Sequence, residues 1–167
     1  MDKKIRIWQG DITTLTVDVI VNAANKSLLG GGGVDGAIHQ AAGPHLLEAT
    51  KKLGGAETGE AKLTKGFDLP AKFIIHTVGP IYKDGESDEA QLLQNCYKNS
   101  LKLADDYQLK TIAFSAISTG VYGYPVDEAT EIAVSTVKNL LPEMKNIKEV
   151  IFVVFDDLTK ETYEKFF

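Results

Sequence analysis

The chain has 167 residues, 44% apolar and 25% charged, with a net charge of −5 at pH 7. That length suits one domain able to bury a core without disulfides or metals, and the acidic balance leaves no electrostatic footprint for DNA or RNA. Cys96 is the only cysteine, so no intramolecular disulfide can form.

The opening Met-Asp-Lys-Lys-Ile-Arg-Ile-Trp lacks the apolar stretch of a signal peptide. Ile5–Trp8 predicts a first strand, followed by Gly10-Asp-Ile-Thr13, where Asp11 serves by default as a turn or cap residue. Val19–Val21 predicts a buried strand that runs into Asn22-Ala-Ala-Asn25 and then four glycines, Gly30 to Gly33. Short helices are expected over Asp35–Ala42 and His45–Leu53. Glu60–Thr64 alternates and suits a strand near an edge, while Phe73–Val78 is continuously apolar and ends at Gly79-Pro80.

Leu92, Leu93, Cys96, Tyr97, Ser100, Leu101 and Ala104 recur at helical spacing, with Asp88 and Gln91 in capping-box positions. Thr111–Phe114 predicts another strand, followed by Ser118-Thr-Gly-Val-Tyr-Gly123. A second helical stripe, Ala129 to Leu140, is opened by Pro125 with Asp127 and Glu128 in its first turn. Val150–Phe155 predicts the last strand; at six residues it is far too short to cross a bilayer. Lys160–Phe166 predicts a closing helix.

Runs that do not alternate suit strands buried on both faces. Strands alternating with helices imply a three-layer α/β/α sandwich with a mixed, largely parallel central sheet. One domain spanning residues 1–167 is expected, as a cytoplasmic monomer without membrane or specific nucleic-acid partners.

In such a fold ligands bind at the carboxyl ends of the parallel strands, where the small, polar and glycine residues of this chain gather. Glycines leading into a helix let the backbone approach a ligand, and the helix start offers unpaired N–H groups to an anion. Gly30–Gly33 and Ser118–Gly123 could therefore clamp a diphosphate from both sides. Gly31-x-Gly33-x-x-Gly36 matches the dinucleotide pattern only formally, because Asn22 to Leu29 separate it from its strand. A phosphate loop ending Gly-Lys-Ser/Thr is absent, and Ala116 replaces the glycine that a hydrolase elbow needs before Ser118.

Asp35 is out of place for phosphate binding alone, since a carboxylate repels an anion. By residue type it reads as a first-turn helix acid; functionally it suits a ribose hydroxyl or an attacking water. Asn25 is a turn residue or a ligand donor. Asp11 is a cap or an acceptor for the exocyclic amine of a base. Phe155 is core, or a ring face for a base at a strand end. Tyr122, between glycines, could close over a ligand. His39, His45, His76 and Cys96 form no zinc spacing. His76 reads as a satisfied group in an apolar strand and Cys96 as packing, so no metal site and no covalent nucleophile are expected.

Together Gly10-Asp-Ile-Thr13, Val21-Asn-Ala-Ala-Asn25, Leu29-Gly-Gly-Gly-Gly-Val-Asp-Gly-Ala-Ile-His39, Thr58-Gly-Glu-Ala-Lys62, Ile75-His-Thr-Val-Gly-Pro80 and Ile117-Ser-Thr-Gly-Val-Tyr-Gly-Tyr-Pro125 resemble the macrodomain family, and its MacroD-type branch most closely. The resemblance runs in order from about Ile5 to Phe155. It implies ADP-ribose as ligand. Asp11 would hold the adenine amino group, Ile12 would line the base pocket, and Phe155 would stack on the base. Gly31, Gly32, Gly33 and Val34 would form one diphosphate loop; Ser118, Thr119, Gly120, Val121 and Tyr122 the other. Asn25 and Asp35 would address the distal ribose. The reaction implied is hydrolysis by water, with no metal or organic cofactor, of esters at that ribose, on ADP-ribosylated Asp or Glu side chains of proteins and on O-acetyl-ADP-ribose.

Ala56 and Ser115-Ala116 depart from common forms of the family, the latter just before the second loop. Three other functions compete with ester hydrolysis. One is a reader module that binds ADP-ribose without cleaving it; another is a phosphatase acting on its phosphate esters. The third is a protein-interaction role with the pocket vestigial.

Overall fold

The computed structural model describes residues 3–167. Six strands, β1 Lys4–Gln9, β2 Val19–Ala24, β3 Ala61–Lys65, β4 Phe73–Val78, β5 Thr111–Phe114 and β6 Glu149–Val154, form one sheet in the order β1-β6-β5-β2-β4-β3. All neighbours pair parallel except β3 with β4, which are antiparallel. The helices are α1 Gly33–Ala42, α2 Pro44–Leu53, α3 Glu89–Asp106, α4 Val126–Leu140 and α5 Asp157–Glu164. No helix among the described residues is long and apolar enough to cross a membrane.

Strand periodicity of two sorts the core into layers. Val19, Val21, Ile112, Phe114, Val150 and Phe152 face one side with side chains of α3, α4 and α5. Ile20, Ile74, Ala113, Ile151 and Val153 face the other, against Ile38 and Ala42 of α1 and Leu46 of α2. This is the expected three-layer sandwich with a largely parallel sheet. Phe152 packs between Phe114 and Tyr163, with ring centroids 6.0 and 5.3 Å away. Burying such a side chain stabilises the fold by about 1.5–3 kcal/mol.

Several boundaries differ from the sequence reading. β2 continues three residues past Val21, because Asn22 is accommodated inside the sheet by buried polar partners. β3 does not alternate as expected: Ala61, Lys62 and Leu63 are all half-buried, since α2 and α3 both pack near this edge. The last strand ends at Val154, so Phe155 lies outside it. α5 starts at Asp157 rather than Lys160, because the Asp156 carboxylate accepts a hydrogen bond from the Thr159 N–H at 2.7 Å and caps the helix.

The capping box at Asp88 and Gln91 does not form. Asp88 sits in the left-handed region at φ 63° and its side chain caps nothing, while Gln91 donates to Asn95. The buried Glu89 does the organising instead. Its Oε2 accepts from the N–H groups of Lys83, Asp84 and Gly85, and its Oε1 from Ser87. The bond from Lys83 leads, with those of Asp84, Ser87 and Gly85, in holding the carboxyl down from 4.5 to about 2 against the opposing effect of burial.

A depressed folded-state value means that the unfolded chain binds the proton first as pH falls. The stabilisation from Glu89 is therefore complete above pH 4.5 and is lost as pH drops towards about 2. Glu89→Gln should lower the thermal midpoint at pH 7, and the gap from wild type should narrow across that acid window in thermal melts.

Candidate functional site

A cavity of about 660 Å³ opens at the carboxyl ends of the parallel strands, within the usual range for small-molecule sites. Gly31 to Asp35 line it from the start of α1, and Ser118 to Tyr122 from the loop after β5. Ile12, Asn25, Phe155 and Asp156 complete the wall. Every candidate site residue except Asp11 lines this one space. Asp11 caps the 3₁₀ turn Ile12–Thr14, accepting from the Thr13 N–H at 3.0 Å and the Thr13 hydroxyl at 2.7 Å.

The first loop is held by close packing. A Cβ on Gly36 would stand 2.4 Å from the Gly31 carbonyl oxygen, so only glycine lets α1 lie against the loop. The leading N–H groups of α1 have no partner within the helix, and Gly33, Val34 and Asp35, which carry them, line the cavity at the positive end of the helix dipole.

The second loop is a tight turn, with Gly123 N–H bonded to Gly120 O and Tyr124 N–H to Ser118 O. The N–H groups of Thr119, Gly120, Val121 and Tyr122 have no partner among the described residues. Ser118 takes a left-handed φ of 67°, a costly conformation for a non-glycine residue. Gly79 makes room for it: a Cβ there would stand 2.1 Å from the Ser118 hydroxyl. Two arcs of free N–H donors facing one cavity make an anion cradle.

Asp35 lies in the first turn of α1 and is only 5% exposed. Its Oδ1 accepts from Asn22 Nδ2 at 2.8 Å. Its Oδ2 faces Gly31, 3.4 Å from where a Cβ of that residue would stand, and Asn25 Nδ2 is equally close to the same point. Asn25 itself is a turn residue as well as a cavity residue. Its Nδ2 donates to Gly30 O at 2.9 Å, and its Oδ1 accepts from Ser27 Oγ and the Leu28 N–H. The second Nδ2 proton has no partner in that turn.

Asn22, His76 and Thr64 were not among the expected site residues. His76 is buried in β4 opposite Asn22 of β2, and its Nε2 lies 2.9 Å from Thr64 Oγ1 of β3. Burial, followed by the nearby His39, lowers His76 from 6.5 to about 3, so it is neutral at ordinary pH. His39, one turn after Asp35, places Nε2 3.5 Å from Asp35 Oδ1 without hydrogen-bond geometry. The register of adjacent strands carries this cluster, and a single polar residue in an apolar run is its only mark in the sequence.

Phe155 is 71% exposed, which overturns its reading as core: its ring stands free at the cavity wall, beside the equally exposed Leu158 of α5. Cys96 is a packing residue whose Sγ donates to Val78 O, and burial pushes its thiol up to about 11. Among the described residues no three His, Cys, Asp or Glu side chains are grouped to hold a metal. A second hollow, about 460 Å³ between the starts of α3 and the middle of α4, is lined by Gln91, Gln94, Ser135 and Thr136 and contains none of the candidate residues.

Relatives share both the sequence and the shape. The family model described as "Macro domain" matches residues 21–133. A macro domain-containing protein of Chlorobaculum tepidum is 60% identical over 96% of this chain and 94% of its own. A protein of Escherichia fergusonii named O-acetyl-ADP-ribose deacetylase is 53% identical over 99% of this chain and 96% of its own. The Trypanosoma brucei macrodomain, solved in complex with ADP-ribose, superposes with a TM-score of 0.91 at 44% identity, covering 96% of this chain and 68% of that one. With a six-stranded sheet of this order and a cavity between these two loops, the chain belongs to the macro domain family.

Proposed function

We propose that this chain binds ADP-ribose in the cavity and hydrolyses esters at its distal ribose, both O-acetyl-ADP-ribose and mono-ADP-ribose on Asp or Glu side chains. The observation that carries the reading is the convergence of Asp35 Oδ2 and Asn25 Nδ2 at Gly31, between two arcs of free N–H groups. A binding site alone gains nothing from a buried carboxylate beside a diphosphate.

The adenine stacks on Phe155, a contact worth about 1–3 kcal/mol, with its amino group near the solvated Asp11. The diphosphate lies between the loops and takes their N–H groups. The distal ribose then reaches Asn25, whose remaining N–H donates to a ribose or ester oxygen. Asp35 Oδ2, left open because Asn22 occupies Oδ1, accepts the hydrogen bond of the attacking water. The water oxygen bonds the distal ribose carbon as that carbon's bond to the ester oxygen breaks; one water proton passes to Oδ2, the acid leaves as its carboxylate, and Asp35 then returns the proton to solvent. No metal or organic cofactor takes part. The Escherichia fergusonii relative's name supports the acetyl ester as a substrate.

Calorimetry with ADP-ribose, followed by mass analysis of products from O-acetyl-ADP-ribose and an ADP-ribosylated glutamate peptide, tests the reading. Saturable binding and release of intact ADP-ribose are expected, with slower turnover in Asn25→Ala. Tight binding with no cleavage would mark a reader, and inorganic phosphate among the products would mark a phosphatase. Absence of binding would overturn all three.

A further inference from the structure

Asp35 is useful to an ester only if its two oxygens have different duties, and the cluster behind it supplies the reason they do. The Asn22 amide nitrogen sits 2.8 Å from Asp35 Oδ1 and 3.2 Å from His76 Nδ1. A primary amide has two N–H donors, so it can serve both at once. A carboxylate only accepts, which fixes the amide with nitrogen rather than oxygen towards Asp35. His76 Nδ1 must then accept as well. The proton of the neutral ring is left on Nε2, where Thr64 Oγ1 receives it at 2.9 Å. Asn22 Oδ1 is buried without a partner among the described residues, so the amide has no competing anchor on its other side.

We propose that His76 and Thr64 are positioning residues: through the Asn22 amide they tether Oδ1 of Asp35 and so reserve Oδ2 for the substrate. The tether crosses three strands, β3, β4 and β2, and none of its members beyond Asp35 lines the cavity. Its logic is a choice of tautomer. If Thr64 lost its hydroxyl, the buried Nε2–H would have no acceptor, and the ring proton could be satisfied only at Nδ1 with the Asn22 amide turned to present its oxygen. Asp35 would then face that oxygen and lose the bond that orients it.

This inference rests on the hydrolase reading for its kinetic part and is independent of it for its structural part. The test pairs imidazole nitrogen NMR on His76 with kinetics of Thr64→Val and Thr64→Ser. Wild type should show the Nε2–H tautomer at pH 7. Thr64→Val should lower kcat for O-acetyl-ADP-ribose about tenfold, the scale expected when a reacting group is slightly misplaced, while KM and the Kd for ADP-ribose stay within about twofold. Thr64→Ser should restore kcat. An Nδ1–H tautomer in wild type overturns the proposal, as does a Thr64→Val protein with unchanged kcat or with Kd weakened in step with kcat. Were wild type to cleave no ester, the hydrolase reading alone would fall, and the tautomer would decide the tether by itself.

Discussion

Asp35→Ala is expected to lower turnover of an ADP-ribose ester at least about 100-fold, the lower end for loss of a positioned acid–base group, while ADP-ribose still binds. The two halves of that result have separate physical origins. In the proposed reaction the lost carboxylate serves the attacking water, so the transition state is expected to suffer. In the proposed binding mode N–H groups of the two loops hold the diphosphate, so removing a negative charge beside it should leave its affinity unchanged or improved. A stability cost accompanies the change. Asn22 Nδ2 loses its buried acceptor at 2.8 Å, which costs about 1–3 kcal/mol for an unsatisfied buried group. Asp35→Asn keeps the volume and separates charge from packing. Steady-state kinetics, calorimetry and thermal melts on both variants read the three effects independently. Turnover retained in either would remove Asp35 from the chemistry.

Gly36→Ala should damage binding without touching any group that meets the ligand. The added methyl would stand 2.4 Å from the Gly31 carbonyl oxygen, a backbone atom that cannot swing aside. Either the first loop lifts or α1 shifts, and overpacking of this kind costs about 1–3 kcal/mol. Because Gly31 borders both Asp35 Oδ2 and Asn25 Nδ2, loop displacement also spreads the groups assigned to the distal ribose. Calorimetry should show Kd for ADP-ribose weakened about tenfold or more, together with a lower melting midpoint. Wild-type affinity in a folded Gly36→Ala protein would mean that the loop is plastic and that its close packing does not set the cavity.

The parallel core was legible in the sequence because its strands are continuously apolar, and the cavity because glycines cluster where those strands end. The misses have a common cause. A short-range pattern registers what a residue prefers, whereas β2 past Val21 and the Glu89 anchor depend on partners distant in the chain or on backbone donors. Asn22 looked like a strand terminator, yet β4 supplies His76 beside it in register. Asp88 fitted a cap by type, but the loop before α3 converges on the neighbouring glutamate instead. Phe155 looked like the last member of a core strand because hydrophobicity does not reveal which end of an apolar run faces a cavity. Asp11 followed its default: it caps a turn next to Ile12 and does not itself line the cavity.

The order of the sheet also governs when the cavity can exist during synthesis. Among the described residues β1 has β6 as its one strand neighbour, pairing Lys4 with Glu149 through to Gln9 with Val154. The first strand of this sheet must therefore wait for its sixth. Ile12 follows β1, and Phe155 and Asp156 follow β6, so the wall assigned to the base is assembled from segments more than 140 residues apart in sequence. A contact of such long sequence separation carries a large loop-closure cost and forms late. On an emerging chain the two glycine loops can fold around β2 and β5 first, so a phosphate-sized cradle precedes the complete nucleotide site.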